Sequence, residues 1–229
     1  MTVVLGLDIS TTYTGVALLE MYCDHCDGEG WLWRRELPDT SDWDGSADDT
    51  RYTCPYCDRD SVHFEMGTLN QLELVHIDFK KCNTVWDKAD RVATWFDQKL
   101  ASGAKGWKNI EGIYIEDPAK KFSQGQSSAS TIVTLARFNG LVSYIARNKF
   151  KLDPIYLAPG AARKACGLKM QQKKKCGKTH KQQTFDAMMA TDLAHITWPL
   201  KMRSTNIVDW AYDIVDAYVI AKAGLRISI

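Results

Sequence analysis

Apolar residues are concentrated near the start of the chain and in its last helix-like segment. Residues 3–9 form an apolar run, residues 10–14 a polar turn, and residues 15–21 a second apolar run. Short runs of this kind, bounded by turn residues, predict two strands that fold back on each other. Asp8 stands near the end of the first strand. It either caps the turn by accepting backbone N–H groups, or it belongs to a polar site at the strand end.

Strand and helix patterns resume after an interruption. Strand-like character returns over residues 62–79, with a turn expected at residues 67–70, and a short apolar strand ends near residue 116. Hydrophobic periodicity predicts a further short strand over residues 154–157 and helices over residues 83–100, 128–148, 179–191 and 206–223. The first three strands are expected to form an antiparallel meander, and the whole to be an α/β fold with helices flanking the sheet.

The interruption contains two closely spaced cysteine pairs. Cys23 with Cys26 and Cys54 with Cys57 each form a Cys-x-x-Cys motif, and a polar stretch separates them. Four thiolates in this pattern are typical of a structural zinc site. The alternative is a loop with four reduced cysteines, which leaves unexplained how so polar a stretch folds without a core. We therefore predict a zinc-binding module over residues 22–61, inserted between the second and third strands of one domain that spans residues 1–229.

Two acidic residues stand at strand ends. Glu116 closes the apolar strand before Pro118, and proline stops the hydrogen-bond ladder there, so its position matches that of Asp8. If the two strands are neighbours in one sheet, both carboxylates can point to a common spot, where ligands bind in open α/β sheets. A plain surface position for Glu116 is the alternative.

Three further acids interrupt the last predicted helix. Asp209, Asp213 and Asp216 follow one another at spacings of four and three, which places them on one stripe of an otherwise apolar helix. No lysine or arginine precedes Lys222 in this helix to neutralise them. Like charges so placed repel each other unless a cation gathers them. A solvent-facing acidic stripe is a fair alternative for Asp209 and a weaker one for the other two.

Asp8, Glu116, Asp213 and Asp216 together form a set of hard oxygen ligands. Such ligands suit Mg²⁺ or Mn²⁺, and shared carboxylates can hold two ions about 4 Å apart for in-line displacement at phosphorus. The sequence thus predicts a two-metal centre for phosphodiester hydrolysis.

One segment is densely basic. A run of lysines is more often a solvated loop than a site, yet this one contains Gly177 and can deform around a phosphate backbone. We favour DNA contact by this segment, through Lys173, Lys174, Lys175, Lys178 and Lys181.

Composition narrows the class of protein. The 229 residues are 45% hydrophobic and 25% charged, and a net charge of +1 gives no overall attraction to nucleic acid or membrane. The sequence contains neither a run of about 18 apolar residues nor a signal-like start, so we expect an intracellular, cytoplasmic protein without membrane association. In that setting, seven cysteines favour thiols or metal ligands over disulfides.

The acidic motifs resemble those of the RuvC family of Holliday-junction resolvases, within the RNase H-like superfamily. Gly6, Asp8 and Gly15 resemble the family's opening strand-turn-strand, although Ser10 stands where a glycine is usual. Glu116 with Ile115 resembles its second acidic strand. The remaining matches are a strand, proline, glycine and lysine segment and the acidic helix, carried by Tyr156, Pro159, Gly167, Lys178, Lys181, Asp213 and Asp216.

This resemblance implies an RNase H-like mixed sheet, an antiparallel meander extended by parallel strands. It implies a divalent-metal-dependent crossover junction endodeoxyribonuclease, a homodimer that nicks opposed strands of a four-way junction. The helix over residues 128–148 is then a natural dimer element. Lys120 and Lys121 are expected to contact DNA, and Phe122 to stack on unpaired bases. Known bacterial members lack the cysteine insert. A compact resolvase with such a grafted module suits a phage or other viral genome, where branched DNA must be cleared before packaging.

Three other functions compete with this one. A nuclease acting on flaps, RNA–DNA hybrids or general branched DNA has the same chemistry. A non-catalytic, zinc-bearing DNA-binding module is a second alternative. An actin-like sugar kinase or ATPase shares a similar first phosphate loop but needs two related halves and a second phosphate motif, and the sequence shows neither.

Overall fold

The computed structural model describes residues 1–26, 31–33, 51–54, 57–58, 61–62, 67–117 and 129–227. The first part of the chain forms seven strands: β1 (Thr2–Ile9), β2 (Tyr13–Cys23), β3 (Trp31–Trp33), β4 (Arg51–Thr53), β5 (Cys57–Asp58), β6 (Ser61–Val62) and β7 (Gly67–Asp78). The second part alternates between helices and strands: α1 (Val85–Ser102), β8 (Ile110–Glu116), α2 (Ala129–Phe150), β9 (Ile155–Leu157), α3 (Pro159–Ala165), α4 (Lys173–Cys176), α5 (His180–Met189) and α6 (Asp209–Ile227).

Five strands form the central sheet in the order β7, β2, β1, β8, β9. The pairs β7–β2 and β2–β1 are antiparallel, whereas β1–β8 and β8–β9 are parallel. The predicted α/β fold, an antiparallel meander extended by parallel strands and flanked by helices, is therefore confirmed. The turn predicted at residues 67–70 is wrong, because β7 pairs with β2 from Gly67 to Asp78. Its polar residues belong to an edge strand, where one side of the ladder is not covered by the sheet.

Alternate residues of β1 face opposite sides of the sheet. Leu5 and Leu7 pack into a core with α1 and α2, whereas Val4 belongs to a second core formed with α3, α5 and α6. Because side chains alternate along a strand, Gly6 and Asp8 share the α6 side with Val4. The pairing of Asp8 with Gly15 puts the opposing residue of β2 on that same side.

Two glycines allow α6 to lie directly on the sheet. A Cβ atom on Gly6 would come within 2.3 Å of the Ala217 carbonyl oxygen, and one on Gly15 within 2.1 Å of the Asp213 carbonyl oxygen. Both distances are far inside van der Waals contact, so any larger residue would push the helix away. The close approach fixes the acidic part of α6 beside the end of β1.

Helix starts differ slightly from the predicted ones. The helix predicted from residue 83 begins at Val85, and Thr84 is its N-cap, where the side chains of Thr84 and Asp87 form a capping box. Thr179 caps α5 in the same way, through Gln182. The last helix begins at Asp209, three residues later than predicted. None of the helices in the described ranges combines the length and apolarity needed to cross a membrane.

The cysteine-rich segment contributes two small antiparallel ladders, β3–β4 and β5–β6, between β2 and β7 in chain order. In the first ladder, Trp31–Trp33 pairs with Arg51–Thr53. The assignment of residues 22–61 to an inserted module of a single domain stays a prediction.

Candidate functional site

Three carboxylates meet where β1 and β8 end. Leu7 pairs with Ile115 in the parallel ladder, so Asp8 and Glu116 follow on neighbouring strands and on the same face. Asp216 reaches them from α6, and one oxygen from each of the three carboxylates lies within 4.8 Å of the others. Asp8 and Asp216 are buried, at 6% and 4% exposure. The predicted convergence of the two strand ends and the acidic helix is thus present in the structure.

Asp213 lies beside this cluster and is joined to it through Lys181. The Lys181 amino group hydrogen-bonds to Asp213 and lies 3.1 Å from Asp8 Oδ2 and 3.4 Å from Asp216 Oδ2. Lys181 is in the first turn of α5, which packs on α6. Asp209 is different: it is exposed and pairs with Lys201 at 2.6 Å, as the solvent-facing alternative for that residue proposed.

Arg163 is a site residue that sequence reasoning missed. Its Nη2 atom lies 3.3 Å from Asp216 Oδ1, and its side chain is only 12% exposed. Its Nε atom is buried and has no hydrogen-bond partner within the described part of the chain. No local pattern marks Arg163; the general need of buried carboxylates for cations could have directed attention to basic residues such as this one in α3.

The pKa values of these groups reflect burial and mutual repulsion. Burial, together with the charges of Asp8 and Asp216, raises the pKa of Glu116 to about 8. Burial also raises the pKa of Asp213 to about 6, although the Lys181 charge opposes this, and it raises the pKa of Asp216. Burial alone would lower the pKa of Lys181, but the surrounding carboxylates raise it overall, so Lys181 is a permanent cation.

This donor set fits a divalent metal centre. Four carboxylates face two cationic side chains, Lys181 and Arg163, which leaves an excess of negative charge when all are ionised. All the donor atoms are carboxylate oxygens, which suit Mg²⁺ or Mn²⁺. The raised pKa values of Glu116, Asp213 and Asp216 indicate that added positive charge would stabilise their ionised forms.

Ser10, not Asp8, closes the turn between β1 and β2. The Ser10 hydroxyl accepts from the backbone N–H of Tyr13 at 3.1 Å and donates to the Tyr13 carbonyl oxygen at 2.7 Å. Ser10 therefore caps the turn, which was the alternative role for Asp8. These two hydrogen bonds also explain why a residue with a hydroxyl group suits position 10. The Asp8 side chain is left for the carboxylate cluster.

The predicted DNA-binding lysines separate into two groups. Lys173, Lys174 and Lys175 are exposed on α4, and Lys178 is an exposed partner of Asp186 at 2.6 Å. Lys181 instead contacts the carboxylate cluster. It lies in the first turn of α5, which begins at His180, after the exposed lysines. Lys120, Lys121 and Phe122 lie outside the described residues.

A second candidate metal site is formed by cysteines. The sulfur atoms of Cys23, Cys26 and Cys54 lie within 4.8 Å of one another, and all three residues are buried. Cys23 Sγ and Cys54 Sγ are 4.0 Å apart. Two thiolates on a tetrahedral zinc ion are separated by roughly 3.8 Å, given a Zn–S bond of about 2.3 Å. The side chain of Cys57, the fourth predicted ligand, lies outside the described residues.

Solved structures with this architecture come from Thermus thermophilus. Its RuvC matches over 97% of this chain and 92% of that chain, with a TM-score of 0.50 and 12% sequence identity. The same organism's RuvC in complex with a Holliday junction substrate matches with the same coverage, a TM-score of 0.51 and 11% identity. The fold is therefore that of RuvC, within the RNase H-like class. No family model and no curated protein sequence matches the chain.

Proposed function

We propose that the chain is a divalent-metal-dependent endonuclease that resolves four-way DNA junctions. The observation that carries the proposal is the convergence of Asp8, Glu116, Asp213 and Asp216 at the strand ends of a RuvC-like fold. A structural neighbour in complex with a Holliday junction supports the choice of substrate. Hydrolysis of a phosphodiester at this centre would make the chain a crossover junction endodeoxyribonuclease.

The four carboxylates would hold Mg²⁺ or Mn²⁺, whose Lewis acidity supplies charge stabilisation at phosphorus. Asp8 and Glu116 are fixed by two paired strands, and Asp216 by a buried helix, so the ligands are held on rigid elements. Lys181 and Arg163 add positive charge at the same spot, which favours the approach of a phosphate and the extra charge of its transition state.

The lysine-rich segment of α4 lies next to the candidate site in the chain, which supports a role in DNA binding. Lys173, Lys174 and Lys175 lie immediately before α5, whose first turn supplies Lys181 to the carboxylates. A phosphate backbone that passes over α4 would therefore lead to the candidate centre, and these contacts add affinity without sequence readout. Lys120, Lys121 and Phe122 follow Glu116 closely in the chain, and we propose them as a second DNA contact.

We also propose a homodimer, because two opposed strands must be cut. Val133, Gly140 and Tyr144 share one face of α2 at spacings of seven and four, and Val133 and Tyr144 are 46% and 64% exposed. A Cβ atom on Gly140 would meet no described atom within 4 Å, so a partner helix can approach closely there.

The cysteine cluster is proposed to bind one structural Zn²⁺ through Cys23, Cys26, Cys54 and Cys57.

The decisive experiment compares substrates in Mg²⁺ or Mn²⁺. A mobile four-way junction with each strand labelled in turn should be nicked at symmetric positions on two opposed strands, and far faster than duplex, flap or RNA–DNA hybrid. Equal cutting of all four substrates would replace the resolvase with a general branched-DNA nuclease. Binding without any cleavage would favour a non-catalytic, zinc-bearing DNA-binding module. We propose that the protein is encoded by a phage or other viral genome and acts in the host cytoplasm.

A further inference from the structure

An aromatic cleft opens next to the carboxylates, on the same side of the sheet. It has a volume of about 410 Å³ and lies between β7 and the segment that leads into α6. His76, Ile196, Trp198, Pro199, Trp210 and Ile214 form most of its lining. Within the described chain, the lining includes no aspartate, glutamate, lysine or arginine. Burial lowers the pKa of His76, so the imidazole is neutral at neutral pH and the cleft is uncharged.

Flat rings form the walls of this cleft. The His76 imidazole stacks on the Trp210 indole, with ring centroids 4.3 Å apart and an angle of 16° between the planes. Trp198 meets Trp210 edge-on at 6.2 Å, and Tyr13 meets His76 edge-on at 5.5 Å. His76 and Trp210 are only half-buried, so the stack is accessible from the cleft. Such a surface suits a planar, uncharged ring system.

The sheet register places the cleft in line with the carboxylates. His76 pairs directly with Gly15, and Gly15 pairs directly with Asp8. Directly paired residues in antiparallel strands point to the same face, so His76 and Asp8 share a side and are two strand spacings apart, roughly 10 Å. Trp210 precedes Asp213 by three residues, about one turn of the same helix. The cleft therefore lies roughly 10 Å from Asp8 on the same face of the sheet, with the start of α6 seated over Gly15 between them.

We propose that this cleft binds one unpaired nucleobase of the DNA strand whose phosphate occupies the carboxylate site. The proposal rests on the nuclease function proposed above. A base next to a junction or a cut phosphate can leave the stack, and aromatic side chains then hold it without reading its sequence. Lys80 lies over the Tyr13 ring at 5.7 Å and 3.8 Å from Asp78, and its mostly exposed amino group can turn to the adjoining phosphate backbone. The volume accommodates one base but not a duplex or a helix.

The test measures the affinity of the intact protein for junctions in Ca²⁺, with a single abasic site introduced at each position around the cleaved phosphate. One position should weaken binding by the wild type by about 5- to 150-fold, the range expected for one stacked base. His76→Leu should lose the same factor on the intact junction and lose nothing more on the abasic one. His76→Phe should restore the ring and the affinity. Trp86→Ala is the control, since Trp86 is an exposed tryptophan on α1, across the sheet.

Two results would overturn the base-binding cleft while leaving the nuclease in place: no abasic position affects the wild type, or the losses from His76→Leu and the abasic site add independently. A dimer that His76→Leu dissociates would show that a second copy covers the cleft instead. Failure of the wild type to bind or cleave any DNA would overturn the proposed function and the cleft together. Thermal melting of each His76 variant shows that a lost affinity does not come from unfolding.

Discussion

The Lys181 amino group lies 3.1 Å from an Asp8 carboxylate oxygen, although 173 positions separate the two residues in the chain. Lys181 also contacts Asp213 and Asp216. A lysine in the first turn of a helix is disfavoured by the helix dipole, so the carboxylates, not α5, stabilise a charge there. Lys181 is therefore the internal counter-ion of the cluster in the metal-free protein.

Lys181→Met should destabilise the metal-free protein. Removing one partner of a buried charge cluster costs about 3–5 kcal/mol, and we expect about 1–3 kcal/mol here because the Lys181 side chain is 39% exposed. Urea unfolding in a chelator measures the free energy of unfolding, and saturating Mg²⁺ should restore most of the loss. Lys178→Met is the matched control, because Lys178 pairs only at the surface with Asp186. An equal loss with and without Mg²⁺ would contradict the counter-ion role.

Asp213→Asn or Asp8→Asn should abolish cleavage while DNA binding survives or strengthens. A lost metal ligand removes several kcal/mol of transition-state stabilisation, and the cleavage rate should therefore fall by about 1,000-fold or more. Binding is retained because one charge that repels phosphate is gone. Single-turnover cleavage and a binding assay in Ca²⁺ separate the two effects. Asp209→Asn is the control on the same helix, since Asp209 is exposed; cleavage by Asp8→Asn at the wild-type rate would show that the centre is elsewhere.

The acidic centre was predictable because each residue carries a local signal. Asp8 and Glu116 end apolar strands, and Asp213 and Asp216 interrupt an apolar helix. Burying each carboxylate costs free energy, so a cation bound by all of them is the common explanation. Hydrophobic runs also predicted the strands and helices that hold them. The order of the apolar runs predicted the antiparallel meander, and the resemblance to the RuvC family implied the parallel strands that extend it.

The cations of the centre carried no such signal. Lys181 belongs to a lysine-rich segment, and only the start of α5 at His180 separates it from the exposed lysines before it. Arg163 is an ordinary residue of a short helix, and its contact with Asp216 depends on how α3 packs on α6. Both contacts depend on how distant segments pack together, and the residue pattern within one segment does not predict this packing. The turn at residues 67–70 was mispredicted for the same reason, because pairing with β2 overrides local turn preference.

Gly15→Ala should displace α6 and impair both stability and cleavage. The added Cβ atom would meet the Asp213 carbonyl oxygen at 2.1 Å, and backbone on both sides leaves no flexible side chain to move away. Overpacking of this kind costs about 1–3 kcal/mol or more, and it moves Asp213 from the cluster. Gly160→Ala is the control, because nothing described lies within 4 Å of its Cβ position. Wild-type stability and cleavage in Gly15→Ala would mean that α6 does not seat as closely as described.

The metal-free protein should become less stable as the pH rises from about 6.5 to about 8. The pKa of Glu116 is about 8 in the folded protein and 4.5 ordinarily, so in this window the folded protein holds a proton that the unfolded chain has released. The free energy of unfolding then falls with pH, by at most about 1.4 kcal/mol per pH unit for one proton. Unfolding in a chelator across this range measures the slope, and Glu116→Gln should flatten it. Metal affinity should rise over the same range, because the ligands must lose their protons; an unchanged slope in Glu116→Gln would assign the effect to another group.

Cys54→Ser should remove zinc from the purified protein. Cys23, Cys26 and Cys54 bring three buried sulfurs together, and Cys57 is the predicted fourth ligand, so elemental analysis should find about one zinc per wild-type chain. Loss of one thiolate weakens a tetrahedral site strongly, and binding energy at a structural zinc site is folding energy, so the melting temperature should fall with the zinc content. Cys176→Ser is the control, because Cys176 lies on α4 outside the cluster. Full zinc content in Cys54→Ser would show that the three sulfurs cluster without binding a metal, and Cys57→Ser would distinguish a four-cysteine site from a three-cysteine site that uses another ligand.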